Sequence, residues 1–242
     1  MQIHDDIALP ERAPSSQPSH ESVDELLAGA SALLIDFNGT LSDDEELVAE
    51  LVAEVAREEL GVELSRSRYF EEFLGCTEAD MFRELSGITD AVRLRALVDV
   101  FNGKYLDRVR AQPRITYAAM EFVREARSRG KSIAVVTAAS RSVVIPALSC
   151  AGLLPEIDTV VALEDVDRSK PEPDCYLLAL QVLDVDATNA LAFEDSRTGV
   201  TAAQAAGLRV IAVGRGSAVE PLESLTSHAV DNLCPELLRG MP

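Results

Sequence analysis

From Pro113 to Val213, short apolar runs alternate with amphipathic segments, and few folds accommodate that alternation. The spacing predicts helix Tyr117–Arg129, stopped at Gly130, then strand Lys131–Thr137 and helix Arg141–Ala151, which Pro146 should kink or shorten. Strand Thr159–Ala162, helix Pro173–Leu183, strand Ala190–Glu194, helix Thr198–Ala206 and strand Leu208–Val213 follow. The strands are apolar throughout rather than alternately polar, as strands buried on both faces must be. Strand–helix alternation of this kind builds a parallel sheet with helices on both sides. An earlier run, Ser31–Phe37 (SALLIDF), has the same character and supplies a further strand ending at Asp36. The expected class is α/β, a doubly wound parallel sheet.

The segment between these strands has another period. Ser42 and Glu45 fit a capping box, and Leu47, Val48, Leu51, Val52 and Val55 form a helical stripe running up to Gly61. Further helices are expected at Ser65–Leu74, Thr77–Leu85 and Thr89–Arg110, with Pro113 closing the segment. The predicted organisation is a leader over residues 1–21, polar and carrying Pro10, Pro14 and Pro18; a core formed by 22–43 and 113–242; and an inserted helical domain over 44–112. Ser22 should cap a first short helix, Val23–Ala28, closed by Gly29.

The 242 residues carry a formal net charge of −19, which disfavours phosphate backbones and anionic lipid heads. Neither nucleic acid nor membrane is an expected partner. No apolar stretch approaches the roughly 20 residues of a membrane helix. The N-terminus lacks the basic and apolar regions of a signal peptide, so cytoplasm is the expected location. Four scattered cysteines, Cys76, Cys150, Cys175 and Cys234, suit reduced thiols better than a zinc site or a disulfide framework. Monomer and homodimer both remain open.

In sheets of this class ligands bind beyond the carboxyl ends of the strands. Four such ends carry polar residues: Asp36; Thr137; Lys170, in the loop after the third strand; and Glu194-Asp195. Singly, each has an ordinary structural reading. Asp36, Thr137 and Glu194-Asp195 can be turn residues or helix caps, Asn38-Gly39 a tight turn, and Lys170 a solvated lysine. Together they can converge on one crevice. The chain has only three lysines, Lys104, Lys131 and Lys170.

These four segments, IDFNGTL, VVTAAS, SKPEPDCY and FEDSRTGVTAAQAAG, resemble in order and spacing the four motifs of the haloacid dehalogenase (HAD) superfamily. The subgroup is the one that includes β-phosphoglucomutase and phosphoglycolate phosphatase. The likeness covers about residues 32–214. It implies a Rossmann-like HAD core with a helical cap, and Mg²⁺-dependent phosphoryl transfer on a small phosphorylated metabolite. Asp36 would be the covalent nucleophile. Mg²⁺ would be held by the Asp36 carboxylate, the Asn38 backbone carbonyl and Asp195, with Glu194 a further candidate. Thr137 and the Ala138 amide would hold phosphate oxygens, and Lys170 would neutralise charge. Arg141, just past the second motif, is a candidate substrate contact. So are Gly75 and Thr77, flanking Cys76 where the cap's specificity loop should lie. Arg66, Arg68, Arg83 and Lys104 are further candidate anion contacts from the cap, and Asp43 and Glu45 fall near its hinge. Gly199 is expected to permit a close approach.

One position departs from the pattern. Phosphatases of this family carry aspartate two residues after the nucleophile, where it protonates the leaving group; this chain has Asn38. An amide cannot exchange that proton near neutral pH. Three readings follow: a slow hydrolase of a small organic phosphate monoester, a sugar-phosphate mutase, or a phosphate-ligand-binding protein without turnover.

Overall fold

A computed structural model describes residues 21–214, 222 and 224–239 of the chain. The predicted leader, Glu21 apart, lies outside the described residues. A six-stranded sheet forms the centre. Its strands are β1 (Ala32–Ile35), β2 (Ser132–Val136), β3 (Thr159–Val161), β4 (Ala190–Glu194), β5 (Arg209–Val213) and β6 (Ala229–Val230). Every neighbouring pair is parallel, in the order β3-β2-β1-β4-β5-β6. Strand order therefore reverses beside β1, which places the first strand's carboxyl end at the topological switch point.

Successive side chains of each strand serve opposite layers. Leu33, Ile35, Ile133, Val135, Leu191 and Phe193 pack on one face with Phe122, Val123, Val144 and Leu148. Those residues belong to α6 (Tyr117–Ser128) and α7 (Arg141–Cys150). Ala32, Leu34, Ala134, Val136 and Ala192 pack on the other with Tyr176, Ala179, Val200 and Ala203. These come from α8 (Asp174–Leu183) and α9 (Arg197–Ala205). The expected doubly wound sheet is thus present, with boundaries displaced by a residue or two where end turns fray.

The first helix, α1 (Val23–Gly29), opens with a reciprocal Ser22–Glu25 capping box. Buried Lys131 donates to the carbonyls of Leu27 and Ala30 at its far end, 2.7 and 2.6 Å away. That side chain satisfies carbonyls that the helix end leaves without partners.

Between β1 and α6 the chain is helical. The elements are α2 (Glu45–Val55), extended by a π-type turn at Ala56–Leu60; α3 (Arg66–Arg68), with a second such turn at Tyr69–Phe73; α4 (Glu78–Ser86); and α5 (Ala91–Ala111). The apolar stripe of α2 lies inside, with Leu47, Leu51, Val52 and Val55 packed among Phe82, Leu94, Leu97 and Phe101. One local expectation fails. Ser42 does not cap α2: Asp44 stands at the N-cap position, and the Ser42 hydroxyl donates to its carboxylate at 2.7 Å. A carboxylate two residues away is a stronger acceptor than the backbone amide donors are partners for that hydroxyl. Helix α7 contains Pro146 and ends at Cys150, one residue before the expected Ala151. Strand β6 was not foreseen, because two residues are too short for a periodic signal. No helix among the described residues is long and apolar enough to cross a membrane.

Candidate active site

Asp36 follows β1 directly, its amide still bonded to the Phe193 carbonyl at 3.0 Å. The chain then turns back: the Leu41 and Ser42 amides bond to the carbonyls of Asp36 and Phe37. Gly39 makes the turn at φ +75°, and a Cβ there would stand 1.8 Å from Asp195 Oδ2. Any larger residue would displace the carboxylate that β4 delivers beside Asp36. Gly199 in α9 plays a comparable steric part, since a Cβ there would fall 2.0 Å from the Glu194 carboxylate.

Lys170 reaches this point from the loop between β3 and α8. Its ammonium lies 2.5 Å from Asp36 Oδ1, 2.6 Å from Glu194 Oε1 and 3.0 Å from the Val136 carbonyl. Three acceptors match the three donors of an ammonium. Burial alone would lower its pKa, but Asp36 and Glu194 reverse the sign and hold the lysine charged, well above its ordinary range. Burial pushes Asp36 up to about 7, against the opposing pull of Lys170. Asp195 is raised more strongly, first by burial and then by Glu45 and Asp36. One oxygen from each of Asp36, Glu194 and Asp195 lies within 4.8 Å of the others. An oxygen-only acidic donor set of this kind suits a hard divalent cation.

Glu194 differs from its neighbours. It is fully buried, does not line the cavity, and already accepts from Lys170, from the Tyr176 hydroxyl at 2.6 Å and from Ser196 Oγ at 3.3 Å. Its oxygens thus accept three hydrogen bonds, one of them from Lys170. Tyr176 completes this arrangement; its only sequence signal was a place on the inward face of α8.

Asp36, Asn38, Thr137, Ala138, Lys170, Asp195 and Gly75 line one cavity at the strand ends. Thr137 terminates β2, and its hydroxyl accepts from the Ala139 amide at 3.0 Å. The Gly75 carbonyl accepts from Thr198 Oγ1 at 3.0 Å, so the helical segment sits directly on the sheet-borne loops. Thr77 stands one step back: its hydroxyl caps α4 and bonds Asp80. Arg141 is not brought to the cavity. Its guanidinium donates to Asp165 and, at 2.9 Å, to the Val160 carbonyl, so it ties α7 to the end of β3. The four candidate cations of the helical segment are likewise engaged elsewhere: Arg66 with Glu46, Arg68 with Glu72, Arg83 with Asp80, and Lys104 with Glu54 and Glu58.

Asn38 has a partner the sequence did not reveal. Its Nδ2 donates to Asp44 Oδ2 at 3.0 Å, and that carboxylate also accepts from the Gly39 amide, the Ser42 hydroxyl and the Tyr105 hydroxyl. Burial pushes Asp44 up to about 6 despite these donors. The roof was also unforeseen. Glu45, Val48, Tyr69, Glu78 and Met81 close the cavity from the helical side. Glu45 had been placed only near the hinge; the Tyr69 hydroxyl donates to it at 2.5 Å. Burial pushes Glu45 up to about 8 and Glu78 up to about 7.

Fold and site together define a doubly wound α/β protein with a lysine-neutralised acidic centre at its switch point. The chain belongs to the haloacid dehalogenase-like hydrolase family, whose model matches residues 33–213. It is 32% identical to Protein SUPPRESSOR OF QUENCHING 1 of Arabidopsis thaliana, over 76% of this chain but only 18% of that protein. With a phosphoglycolate phosphatase of Cupriavidus necator it shares 28% identity, over 78% of this chain and 82% of the relative. The crystal structure of a point mutant of CbbY from Rhodobacter sphaeroides in complex with xylulose-(1,5)bisphosphate superposes with a TM-score of 0.74. That match has 26% identity and covers 84% of this chain and 95% of the other.

Proposed function

We propose that this chain is a Mg²⁺-dependent phosphatase of a small organic phosphate monoester, working through an aspartyl-phosphate on Asp36. The observation that carries this reading is the buried ammonium of Lys170 joined to Asp36 and Glu194, with Asp195 alongside, on the floor of one cavity. Mere binding of phosphate requires no carboxylate aimed at it.

Asp36 Oδ2 attacks phosphorus as the ester P–O bond breaks, and the leaving oxygen takes a proton and departs as the alcohol. Water then adds to the aspartyl-phosphate and releases inorganic phosphate, regenerating the carboxylate. Lys170 holds Asp36 in place and offsets negative charge on the transferring group. Thr137 and Ala138 face the phosphoryl oxygens. The Asp36 and Asp195 carboxylates and the Asn38 carbonyl would hold Mg²⁺, while Glu194 orients Lys170. When bound, the ion offsets repulsion between carboxylate and phosphate. Residues 44–112 act as a cap that excludes water, docked through Gly75 on Thr198.

Asn38 cannot give the leaving oxygen its proton, so that proton comes from water or from a protonated roof carboxyl, Glu45 or Glu78. Turnover then depends steeply on how readily the leaving group departs. The test is hydrolysis of p-nitrophenyl phosphate with Mg²⁺, with EDTA, and by Asp36→Ala. Turnover should require both the metal and Asp36. Undiminished turnover in Asp36→Ala would refute the reading.

A further inference from the structure

The cavity's charges restrict what can be esterified to the phosphate. Among the described residues Lys170 is the one basic side chain lining it, and Lys170 is already bonded to Asp36 and Glu194. Four carboxyl groups line the same space: Asp36, Asp195, Glu45 and Glu78. The first two belong to the floor. Glu45 and Glu78 stand in the roof, where the part of the substrate beyond phosphorus must lie. Glu78 is 7% exposed, faces the cavity, and receives no hydrogen bond from any other described side chain. The rest of the roof, Val48, Tyr69 and Met81, offers no cation either. The arginines and the lysine of the helical segment that sequence alone suggested as anion contacts are paired on its outer surface.

We infer that the substrate's leaving alcohol carries no second anionic group and instead presents hydroxyl or ammonium donors to Glu45 and Glu78. This rests on the phosphatase reading above and narrows it. A second phosphate or a carboxylate in the roof would meet ionised carboxylates as like charges. If those were protonated it would lie desolvated with no countercharge; a buried unpaired ion is costly in either state. A hydroxyl or ammonium donor satisfies the same oxygens.

The decisive comparison uses matched esters. Glycerol 3-phosphate and 3-phosphoglycerate differ by a hydroxymethyl against a carboxylate; phosphoethanolamine and phosphoglycolate differ by an ammonium against a carboxylate. With Mg²⁺ and the full chain, kcat/KM should favour the non-anionic member of each pair by about tenfold or more, since juxtaposed like charges disfavour the anionic member. Glu78→Gln and Glu45→Gln should each narrow that ratio. Equal rates, or preference for the anionic members, would overturn the inference while p-nitrophenyl phosphate turnover left the phosphatase reading intact. If p-nitrophenyl phosphate were not hydrolysed, the phosphatase reading would fall. Equilibrium binding of the same pairs would then decide the roof's selectivity by the same ratio.

Discussion

Asn38→Asp puts the Asp44 contact to a quantitative test. The amide now donates to Asp44 Oδ2 across 3.0 Å. An aspartate at 38 removes that donor and sets two carboxyl groups against each other. At an effective dielectric constant near 20, two unit charges 3 Å apart repel by about 5 kcal/mol, equivalent to about four pKa units. Asp44, 1% exposed and already pushed up to about 6, has nowhere to move toward water. The pair therefore keeps one proton at neutral pH. Asp44 retains the donors from Gly39, Ser42 and Tyr105, which favour its ionised form, so the proton resides on residue 38. That is the protonation state a leaving-group acid requires. General acid catalysis contributes about 10²–10⁴-fold, and it matters most where the leaving alkoxide is most basic. The variant should thus gain about 10²-fold or more on alkyl phosphates and much less on p-nitrophenyl phosphate. Stability should change with a definite sign. The pair's folded pKa lies above that of an unfolded aspartate, so the native state binds more protons. Its stability then falls as pH rises above the unfolded value and levels off beyond the folded one. In urea denaturation the variant should come nearest the parent at about pH 4, below or near the unfolded aspartate value, and at pH 8 it should be clearly weaker. Equal gains on both ester types, or a stability difference independent of pH, would refute the reasoning.

Lys170→Met leaves Asp36 and Glu194 buried without their cation; about 3–5 kcal/mol of stability should be lost at pH 8, less at low pH, along with activity, measured by denaturation and p-nitrophenyl phosphate assay. Gly75→Ala forces a side chain onto φ +77° with its Cβ 2.3 Å from Thr198 Oγ1. The Gly75–Thr198 contact should open, and kcat/KM should fall about tenfold or more in steady-state kinetics, because positioning errors near 1 Å are costly. Arg141→Gln removes an ion pair to Asp165 remote from the cavity, so kcat/KM should stay within about twofold; a drop of tenfold or more would place Arg141 at the substrate after all.

The sheet and its chemical floor were legible because both leave one-dimensional marks. A strand buried on both faces must be apolar throughout, so SALLIDF and KSIAVVT announce themselves, and the residue ending each run is fixed in space by the strand. Asp36, Thr137 and Asp195 reach one cavity for that reason, although Asp36 and Lys170 lie 134 residues apart. Direction is a different matter. Arg141 follows a strand end just as Thr137 does, but Asp165 and the Val160 carbonyl lie on the side its guanidinium faces, and nothing in the local sequence marks that. Ser42 was misread for a related reason. The capping-box pattern is written in positions 42 and 45, whereas the outcome is set by Asp44 between them, an acceptor whose importance depends on Tyr105 arriving from a helix 61 residues away. The roof was least legible. Tyr69 comes from the π-type turn after α3, and Glu78 and Met81 come from α4; they acquire a common face only when the helical segment docks on the strand ends. The floor of the cavity is therefore written in motifs, while its roof exists only in the packed tertiary arrangement. In this chain the roof is also the part that a Glu78→Gln exchange can change while leaving the Asp36–Lys170–Glu194 centre in place.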